Sequence, residues 1–126
     1  MRLHEDNIKA ELYRQLRNNN VAVVVEYSIP IRGDKVRKKV IPDLLVFNPN
    51  TLRPILIVEV KNTKRLNTNT KQIKRYKKLR IPILVINNYY SVNNAVTEIV
   101  KRYPDSVDSK NRDLYGLVSK YGIKLV

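Results

Sequence analysis

Two carboxylates and a lysine stand in apolar stretches of the sequence: Asp43 follows Pro42, and Glu59 precedes Lys61 by two residues. Successive side chains of a strand point to opposite faces, so Glu59 and Lys61 share one face of a strand over residues 55–61. A preceding strand that carries Asp43 and then turns back brings Asp43 beside Glu59 on that face. Two buried carboxylates this close are unfavourable unless a cation compensates their charge. The pattern therefore indicates a divalent metal site.

Composition limits that metal to a hard cation. The chain has no cysteine and a single histidine, His4, which excludes thiolate sites and histidine-built sites. Mg²⁺ takes one or two carboxylates and completes its shell with waters and a substrate phosphate; we expect Mn²⁺ to substitute for it. A metal-bound water is a strong nucleophile, and Lys61 can hold that water and pair with the phosphate. These residues favour Mg²⁺-dependent phosphodiester hydrolysis.

The charge of the chain predicts a polyanionic partner. Lysine and arginine number 25 against 11 acidic residues, which gives a formal net charge of +14. Such a field attracts nucleic acid and makes the association depend on salt. Two basic runs flank the predicted site, one after the third predicted strand and one in the first predicted hairpin. The DNA-binding candidates in these runs are Lys64, Arg65, Lys71, Lys74, Arg75, Lys77, Lys78, Arg37 and Lys38. Contacts of this kind go to phosphates and imply little sequence preference.

Hydropathy gives no indication of a membrane. No apolar run approaches the roughly 18 residues that span a bilayer, and residues 1–6 lack the apolar stretch of a signal peptide. We therefore expect a cytoplasmic protein with no membrane partner.

The elements that must position these residues follow from periodicity. Ile8, Leu12 and Leu16 form one stripe of a first helix, and later runs alternate as strands do. The predicted order is a helix over 4–18, strands over 21–31, 35–47 and 55–61, a helix over 71–80, a strand over 82–86 and a helix over 92–103. This order predicts an α/β fold in which an antiparallel meander is followed by a right-handed crossover.

The length fits one domain over residues 1–126, with a core over about 4–103 and a C-terminal extension over 104–126. Within the extension we predict a short helix over 113–121 and a short final strand over 123–126. The strand over 82–86 is apolar throughout, which predicts burial on both of its faces.

The motifs Pro42-Asp43 and Glu59-Val60-Lys61, in this order and each in a hydrophobic run, resemble those of the PD-(D/E)xK nuclease superfamily. Gln72 and Tyr76 are similar to the Gln-xxx-Tyr motif of RecB-like exonucleases. Together with Glu26 and Asn87-Asn88, they resemble the N-terminal nuclease domain of type I restriction motor subunits. The resemblance covers residues 4 to about 103. It implies a restriction-endonuclease-like αβββαβ core, a mixed sheet flanked by helices, and Mg²⁺-dependent cleavage of DNA.

The resemblance also implies roles for individual residues. Asp43 and Glu59 would bind the metal with help from the Val60 carbonyl, and Lys61 would position the water. A further acidic residue on the first helix often faces the metal in this superfamily. Glu5 continues the apolar stripe of that helix, so it is preferred over Glu11 as a catalytic and metal-binding candidate.

Other residues keep alternative interpretations. Glu26 either reaches the edge of the site or pairs with a basic residue at the margin of the sheet. Gln72 can hydrogen-bond a catalytic carboxylate or the DNA backbone, while Tyr76, four residues later on the same helix face, packs and donates its hydroxyl.

Two rival functions also remain open at this stage. Holliday junction resolvases are among the compact members of the superfamily, and such a protein would act as a homodimer. A non-catalytic, basic nucleic-acid-binding module would use Glu59 and Lys61 as a buried structural ion pair.

Overall fold

The computed structural model of the chain describes residues 2–31, 38–61, 74, 76, 77 and 79–125. Helices and strands follow one another along these ranges in the order that the apolar periodicity predicts, except that the first two predicted strands are each divided. The named elements are α1 (Arg2–Asn18), β1 (Val23–Val25), β2 (Ile29–Ile31), β3 (Lys38–Val40), β4 (Leu44–Phe47), β5 (Pro54–Val60), β6 (Ile83–Ile86), α2 (Val92–Arg102) and α3 (Leu114–Tyr121). Short 3₁₀ helices cover Tyr89–Ser91 and Pro104–Ser106. Lys74, Tyr76 and Lys77 are also helical.

The main sheet is mixed, and its strand order over the described ranges is β1-β4-β5-β6. β4 pairs antiparallel with β1 and with β5, and β5 pairs parallel with β6. The antiparallel meander and the parallel crossover strand are therefore confirmed. β2 and β3 form a separate two-stranded antiparallel ribbon. β5 lies between β4 and β6 and is therefore an inner strand of the sheet.

One face of the sheet packs against α1 and α2. Ile8, Leu12 and Leu16 are each 0% exposed, as the predicted stripe requires. They join Val58 and Val60 of β5 in one apolar cluster. α2 adds a second stripe to that cluster, made of Val92, Val96 and Ile99.

The opposite face carries a second apolar cluster. Alternation along β4 and β5 sends Leu45, Phe47 and Ile57 to this side, where they meet Tyr76. α3 covers the cluster with the side chains of Leu114 and Val118. The sheet is thus flanked by helices on both faces, and the predicted α/β architecture is confirmed. Within the described ranges, none of the helices has both the length and the apolar character needed to cross a membrane.

The strands predicted over 21–31 and 35–47 are each broken. β1 ends at Val25 because Glu26 adopts a left-handed backbone conformation with φ 51°. β4 begins only after Asp43, whose carbonyl accepts a hydrogen bond from the Glu26 N–H at 3.2 Å. The chain leaves the main sheet at these two residues to form the β2–β3 ribbon. Both breaks lie beside the predicted site.

Two other predictions were wrong. The strand over 82–86 is not buried on both faces, since Ile83, Leu84 and Val85 are only half-buried. Among the described residues, β6 is the last strand of the sheet and pairs with β5 alone. Residues 123–125 do not form a strand either. The backbone of Lys124 instead donates a single hydrogen bond to the Leu52 carbonyl at 2.8 Å.

The C-terminal extension is integrated into the fold. The predicted helix is α3, with Asp113 as its N-cap, accepting a hydrogen bond from the Gly116 N–H. Upstream of α3, the carboxylate of Asp108 is 4% exposed and accepts hydrogen bonds from Arg112 Nη2 at 3.0 Å and from the N–H groups of Arg112 and Lys110. Burial acts to raise the pKa of Asp108, but these donors lower it below its usual value.

We predict that Asp108→Asn lowers the free energy of unfolding by about 2 kcal/mol at pH 7, because a buried charge-assisted pair with Arg112 is lost. The folded-state pKa of Asp108 is lowered, so its contribution is present above the unfolded pKa and is lost as the pH falls through the folded pKa. The difference between variant and wild type in urea unfolding should therefore shrink as the pH is lowered from 7 through the acidic range. Asp105→Asn, at an exposed neighbouring site, is the matched control and should change little. A difference that does not shrink as the pH falls would contradict the assignment.

Candidate active site

Asp43 and Glu59 are brought together by the pairing of β4 with β5. Leu44 faces Val58 in the antiparallel register, so the residue before Leu44 meets the residue after Val58. The Asp43 N–H donates to Glu59 Oε1 at 3.2 Å, and Asp43 Oδ2 accepts from the Val60 N–H at 2.8 Å. The predicted proximity of these two carboxylates is therefore observed. Each carboxylate is held by a backbone group of the other strand.

Glu59 is an acidic side chain inside the second apolar cluster. It is 1% exposed, and its Oε1 accepts a hydrogen bond from the Tyr76 hydroxyl at 2.5 Å. The same hydroxyl lies 3.3 Å from the Ile41 carbonyl oxygen. Tyr76 can therefore donate a hydrogen bond to an ionised Glu59, or accept one from the hydroxyl of a neutral Glu59 while donating to the Ile41 carbonyl. The predicted double role of Tyr76, packing and donating its hydroxyl, is observed.

The surroundings of Glu59 make its charge costly. Burial raises the pKa of Glu59 from 4.5 to about 7; the hydrogen bond from Tyr76 opposes the rise, and the negative charge of Asp43 adds to it. A cation beside this carboxylate would favour the ionised form. Near neutral pH the group is thus poised between its two protonation states.

Lys61 supplies a cation on the same side. Its Nζ lies 3.7 Å from Glu59 Oε2, and its side chain is 30% exposed. The Lys61 N–H donates to the Ile86 carbonyl at 2.8 Å, which fixes the backbone where β5 ends beside β6. The ammonium group therefore connects the buried carboxylate with the solvent.

A second lysine, Lys9 of α1, was missed by the sequence reasoning. Its Nζ lies 2.9 Å from Glu26 Oε1 and 3.8 Å from Asp43 Oδ1. Burial acts to lower the pKa of Lys9, but the hydrogen bond to Glu26 and the charge of Asp43 raise it above its usual value. The sequence signal that could have identified Lys9 is its position directly after Ile8, which places it at the margin of the buried stripe of α1. Glu26 thus fulfils both of its interpretations, because it lies at the edge of the site and also pairs with a lysine.

The acidic residues of α1 lie on different flanks. Glu5 is half-buried and precedes Lys9 by four residues, which puts both on the flank of the helix that leads to Asp43. Glu11 instead pairs with Arg14 and accepts a hydrogen bond from Gln15 at 2.9 Å. It lines a separate cleft beyond the site. The placement is consistent with the choice of Glu5 over Glu11.

Several predicted site residues lie outside the described residues: Gln72, Lys64, Arg65, Lys71, Arg75, Lys78 and Arg37. Lys38 is the first residue of β3. Lys74 and Lys77 are exposed and flank Tyr76 on one helical segment, so they lie on the outer side of the segment that reaches Glu59. Val60 is 2% exposed at the end of β5.

The donor set suits a hard cation in part. Over the ranges that the structure describes, no three His, Cys, Asp or Glu side chains form a group that could hold a metal ion. Asp43 and Glu59 form a pair, and a pair is what Mg²⁺ uses when waters and a phosphate complete its shell. Comparison of the chain with protein-family models, with curated proteins and with solved structures finds no match.

We predict that Glu59→Gln stabilises the protein at pH 8. The folded-state pKa of about 7 lies above the usual 4.5, so stability is fully present below the unfolded pKa and is lost as the pH rises through the folded pKa. The full loss amounts to roughly 3 kcal/mol, and the glutamine variant avoids it. Urea unfolding in EDTA should show similar stabilities at pH 5 and a more stable variant at pH 8.

The matched control is Glu98→Gln, which removes an exposed carboxylate of α2 that pairs with Arg102. Its effect should stay within about 0.5 kcal/mol at both pH values. A Glu59 variant that is less stable than wild type at pH 8 would mean that the ionised carboxylate is structurally favourable.

Proposed function

We propose that the protein is a Mg²⁺-dependent nuclease that hydrolyses phosphodiester bonds of DNA on a restriction-endonuclease-like αβββαβ core. The observation that carries the proposal is the buried Glu59 carboxylate, which is hydrogen-bonded to the backbone of Asp43 and lies 3.7 Å from Lys61. A carboxyl group with a pKa raised to about 7 is costly to the fold. Groups of this kind cluster at functional sites.

The metal would be held by Asp43 and Glu59, with the Val60 carbonyl and Glu5 as supporting oxygen donors. One or two carboxylates are enough for Mg²⁺ when a substrate phosphate joins the shell, and Mn²⁺ is expected to substitute. When bound, the metal supplies a more acidic water and a positive charge beside the phosphate under attack.

The residues of the chain itself prepare that chemistry. Tyr76 fixes the orientation of Glu59 through its 2.5 Å hydrogen bond. Lys61, partly exposed, can orient the attacking water and pair with a phosphate oxygen. Lys9 lies beside Asp43 and pairs with Glu26 at the edge of the proposed site. The carboxylates are therefore held by partners before any substrate arrives, which reduces the cost of reorganisation.

Charge supports DNA as the partner. The net charge of +14 favours a polyanion, and the exposed Lys74 and Lys77 lie on the segment whose Tyr76 reaches Glu59. With Gln72 and the remaining basic candidates, these lysines would follow the phosphate backbone past the site. We place this activity in the cytoplasm.

The two rival functions have different support. A binding module without catalysis is favoured by the Glu59–Lys61 distance of 3.7 Å, which also fits a structural ion pair. A homodimeric Holliday junction resolvase calls for an apolar face on the C-terminal segment. In that segment Val118 packs inward, and the exposed large side chains among its described residues are Tyr115 and Tyr121. The geometry therefore does not favour this second rival.

We predict that Asp43→Asn and Glu59→Gln each reduce DNA cleavage in Mg²⁺ by about a thousandfold, since losing a metal ligand removes several kcal/mol of transition-state stabilisation. Both amides keep an oxygen that accepts the hydrogen bonds of the native carboxylate. The measurement is cleavage of plasmid and single-stranded DNA across a Mg²⁺ and Mn²⁺ titration, with EDTA as the metal-free arm.

Asp105→Asn, far along the chain and exposed, serves as the control and should cut like wild type. DNA binding in EDTA should survive in both site variants. Cleavage by wild type in EDTA, or cleavage by either site variant near the wild-type rate, would contradict the proposed site.

We predict that Lys61→Ala reduces cleavage at least a hundredfold, on the order of one lost transition-state donor, without abolishing Mg²⁺ binding. Lys61→Arg should restore little, because a planar guanidinium cannot replace a compact ammonium that positions water. Single-turnover cleavage and thermal unfolding are measured on the same variants. Lost cleavage with an unchanged melting temperature supports the nuclease. A large drop in melting temperature in a protein that never cleaved supports the binding module, because an unpaired buried carboxylate is destabilising.

A further inference from the structure

A cleft of about 600 Å³ opens between α1 and the 3₁₀ helix Tyr89–Ser91, and no part of the proposed catalytic machinery lies in it. Two tyrosines form one wall. Tyr90 is 88% exposed and Tyr89 is 44% exposed, with their rings 6.2 Å apart and perpendicular. The other wall is polar and comes from one flank of α1: His4, Asn7, Glu11 and Arg14.

The backbone that carries the exposed Tyr90 ring is held in place, although the ring contributes almost nothing to the core. Asn88 caps the 3₁₀ helix, its Oδ1 accepting from the Tyr90 N–H at 2.8 Å, and its carbonyl accepts from the Ser91 N–H at 3.1 Å. This turn fixes the backbone that carries both rings. A large aromatic side chain on an ordered backbone and left in solvent is an available contact surface, since tyrosine gives a broad, amphipathic face at low entropic cost.

The charge of the cleft is balanced, unlike the charge of the chain. Glu11 and Arg14 form an ion pair across the polar wall, and Gln15 donates a further hydrogen bond to Glu11. The hydrogen bonds from Arg14 and Gln15 lower the pKa of Glu11 to about 2, so its carboxylate stays ionised. Among the described residues that line the cleft, Arg14 is the permanently charged cation, and it is already paired with Glu11. The cleft offers aromatic faces, a carboxylate acceptor and the amide of Asn7, which suit a neutral ring that carries an N–H group and a carbonyl on its edge.

The cleft lies at the same end of the sheet as the proposed catalytic site. β5 and β6 run parallel, and the N–H of Lys61 meets the carbonyl of Ile86 at 2.8 Å. Tyr89 follows Ile86 by three residues, a stretch of chain that reaches at most about 11 Å. On α1, the flank opposite the cleft carries Lys9, whose ammonium lies 3.8 Å from Asp43. Cleft and site therefore lie on opposite flanks of α1, roughly the 10 Å width of a helix apart, which a few nucleotides span at about 3.4 Å each along one stacked strand.

We propose that this cleft is a base-binding subsite in which an unpaired nucleobase stacks on Tyr90 and presents its polar edge to Glu11 and Asn7. The substrate class that follows is DNA that is single-stranded, or locally unpaired, next to the cut. This inference rests on the proposed nuclease function, because that function makes the bound strand a substrate. The binding itself requires no catalysis, because base stacking on an aromatic side chain is independent of the metal.

The test is fluorescence-anisotropy titration in EDTA, which measures binding while the metal-dependent step is off. The two probes are a single-stranded thymidine oligonucleotide and an abasic oligonucleotide of equal length, which has the same phosphates but no bases. The protein variants are Tyr90→Ala, the double variant Tyr89→Ala/Tyr90→Ala, and Tyr90→Phe. Tyr121→Ala is the matched control, since Tyr121 is an exposed tyrosine of α3 at 58% exposure.

Loss of one or two stacked bases should weaken binding of the thymidine probe by a factor between about five and about a hundred in the alanine variants. Tyr90→Phe should bind like wild type, because the ring is retained, and Tyr121→Ala should also bind like wild type. The affinity for the abasic probe should be the same for all of these proteins. Melting temperatures of the alanine variants check that the fold is unchanged.

Two results would overturn the subsite: equal affinity of wild type for the two probes, or alanine variants that bind the thymidine probe as wild type does. Its failure is distinguishable from failure of the nuclease proposal. A protein that stacks bases in EDTA but never cleaves in Mg²⁺ keeps the subsite and loses the nuclease. A protein that cleaves in Mg²⁺ but binds both probes alike keeps the nuclease and loses the subsite.

Discussion

A carboxylate at the end of a central strand, closed off from solvent, is the constraint around which this protein is arranged. β5 has neighbours on both sides, and α1 and the Tyr76 segment cover its two faces, so Glu59 cannot turn to water. Isolated in such surroundings, a charge would be prohibitively costly. The structure answers with a hydroxyl from Tyr76, an N–H from Asp43 and an ammonium from Lys61. Asp43 and Tyr76 come from segments other than β5, so the site forms only when both have packed against this strand.

Much of this arrangement follows from periodicity. A strand has a period of two, so Glu59 and Lys61 had to share a face, and an antiparallel return of the chain had to bring Asp43 beside them. The helical stripe of Ile8, Leu12 and Leu16 likewise fixes which side of α1 is buried. These features are local or nearly so, and a local pattern in the sequence is enough to predict them. The hydroxyl of Tyr76 was singled out differently, through the resemblance of Gln72 and Tyr76 to a Gln-xxx-Tyr motif, and its partner Glu59 is known from the structure alone.

The features that sequence reasoning missed depend on contacts between distant segments. The left-handed backbone of Glu26 and the break in the predicted strand at Asp43 are joined by one backbone hydrogen bond. No pattern of residue types in the sequence predicts that bond. Lys9 is one of many lysines until α1 docks beside Asp43. The partial exposure of β6 depends on its place at the end of the described strand order, which cannot be predicted from its apolar residues. Sequence gives the faces of elements, whereas their neighbours are decided by the assembled fold.

The second apolar cluster also affects the order in which the protein can fold during its synthesis. Its strand residues, such as Phe47 and Ile57, leave the ribosome well before Leu114 and Val118, the side chains of α3 that cover them. At about 5–20 residues per second, translation leaves that face of the sheet without its α3 cover for several seconds. The helix-covered opposite face can close earlier, because α1 comes first and α2 precedes α3. A nascent chain stalled before α3 would present a half-covered sheet, which is the kind of surface that chaperones bind.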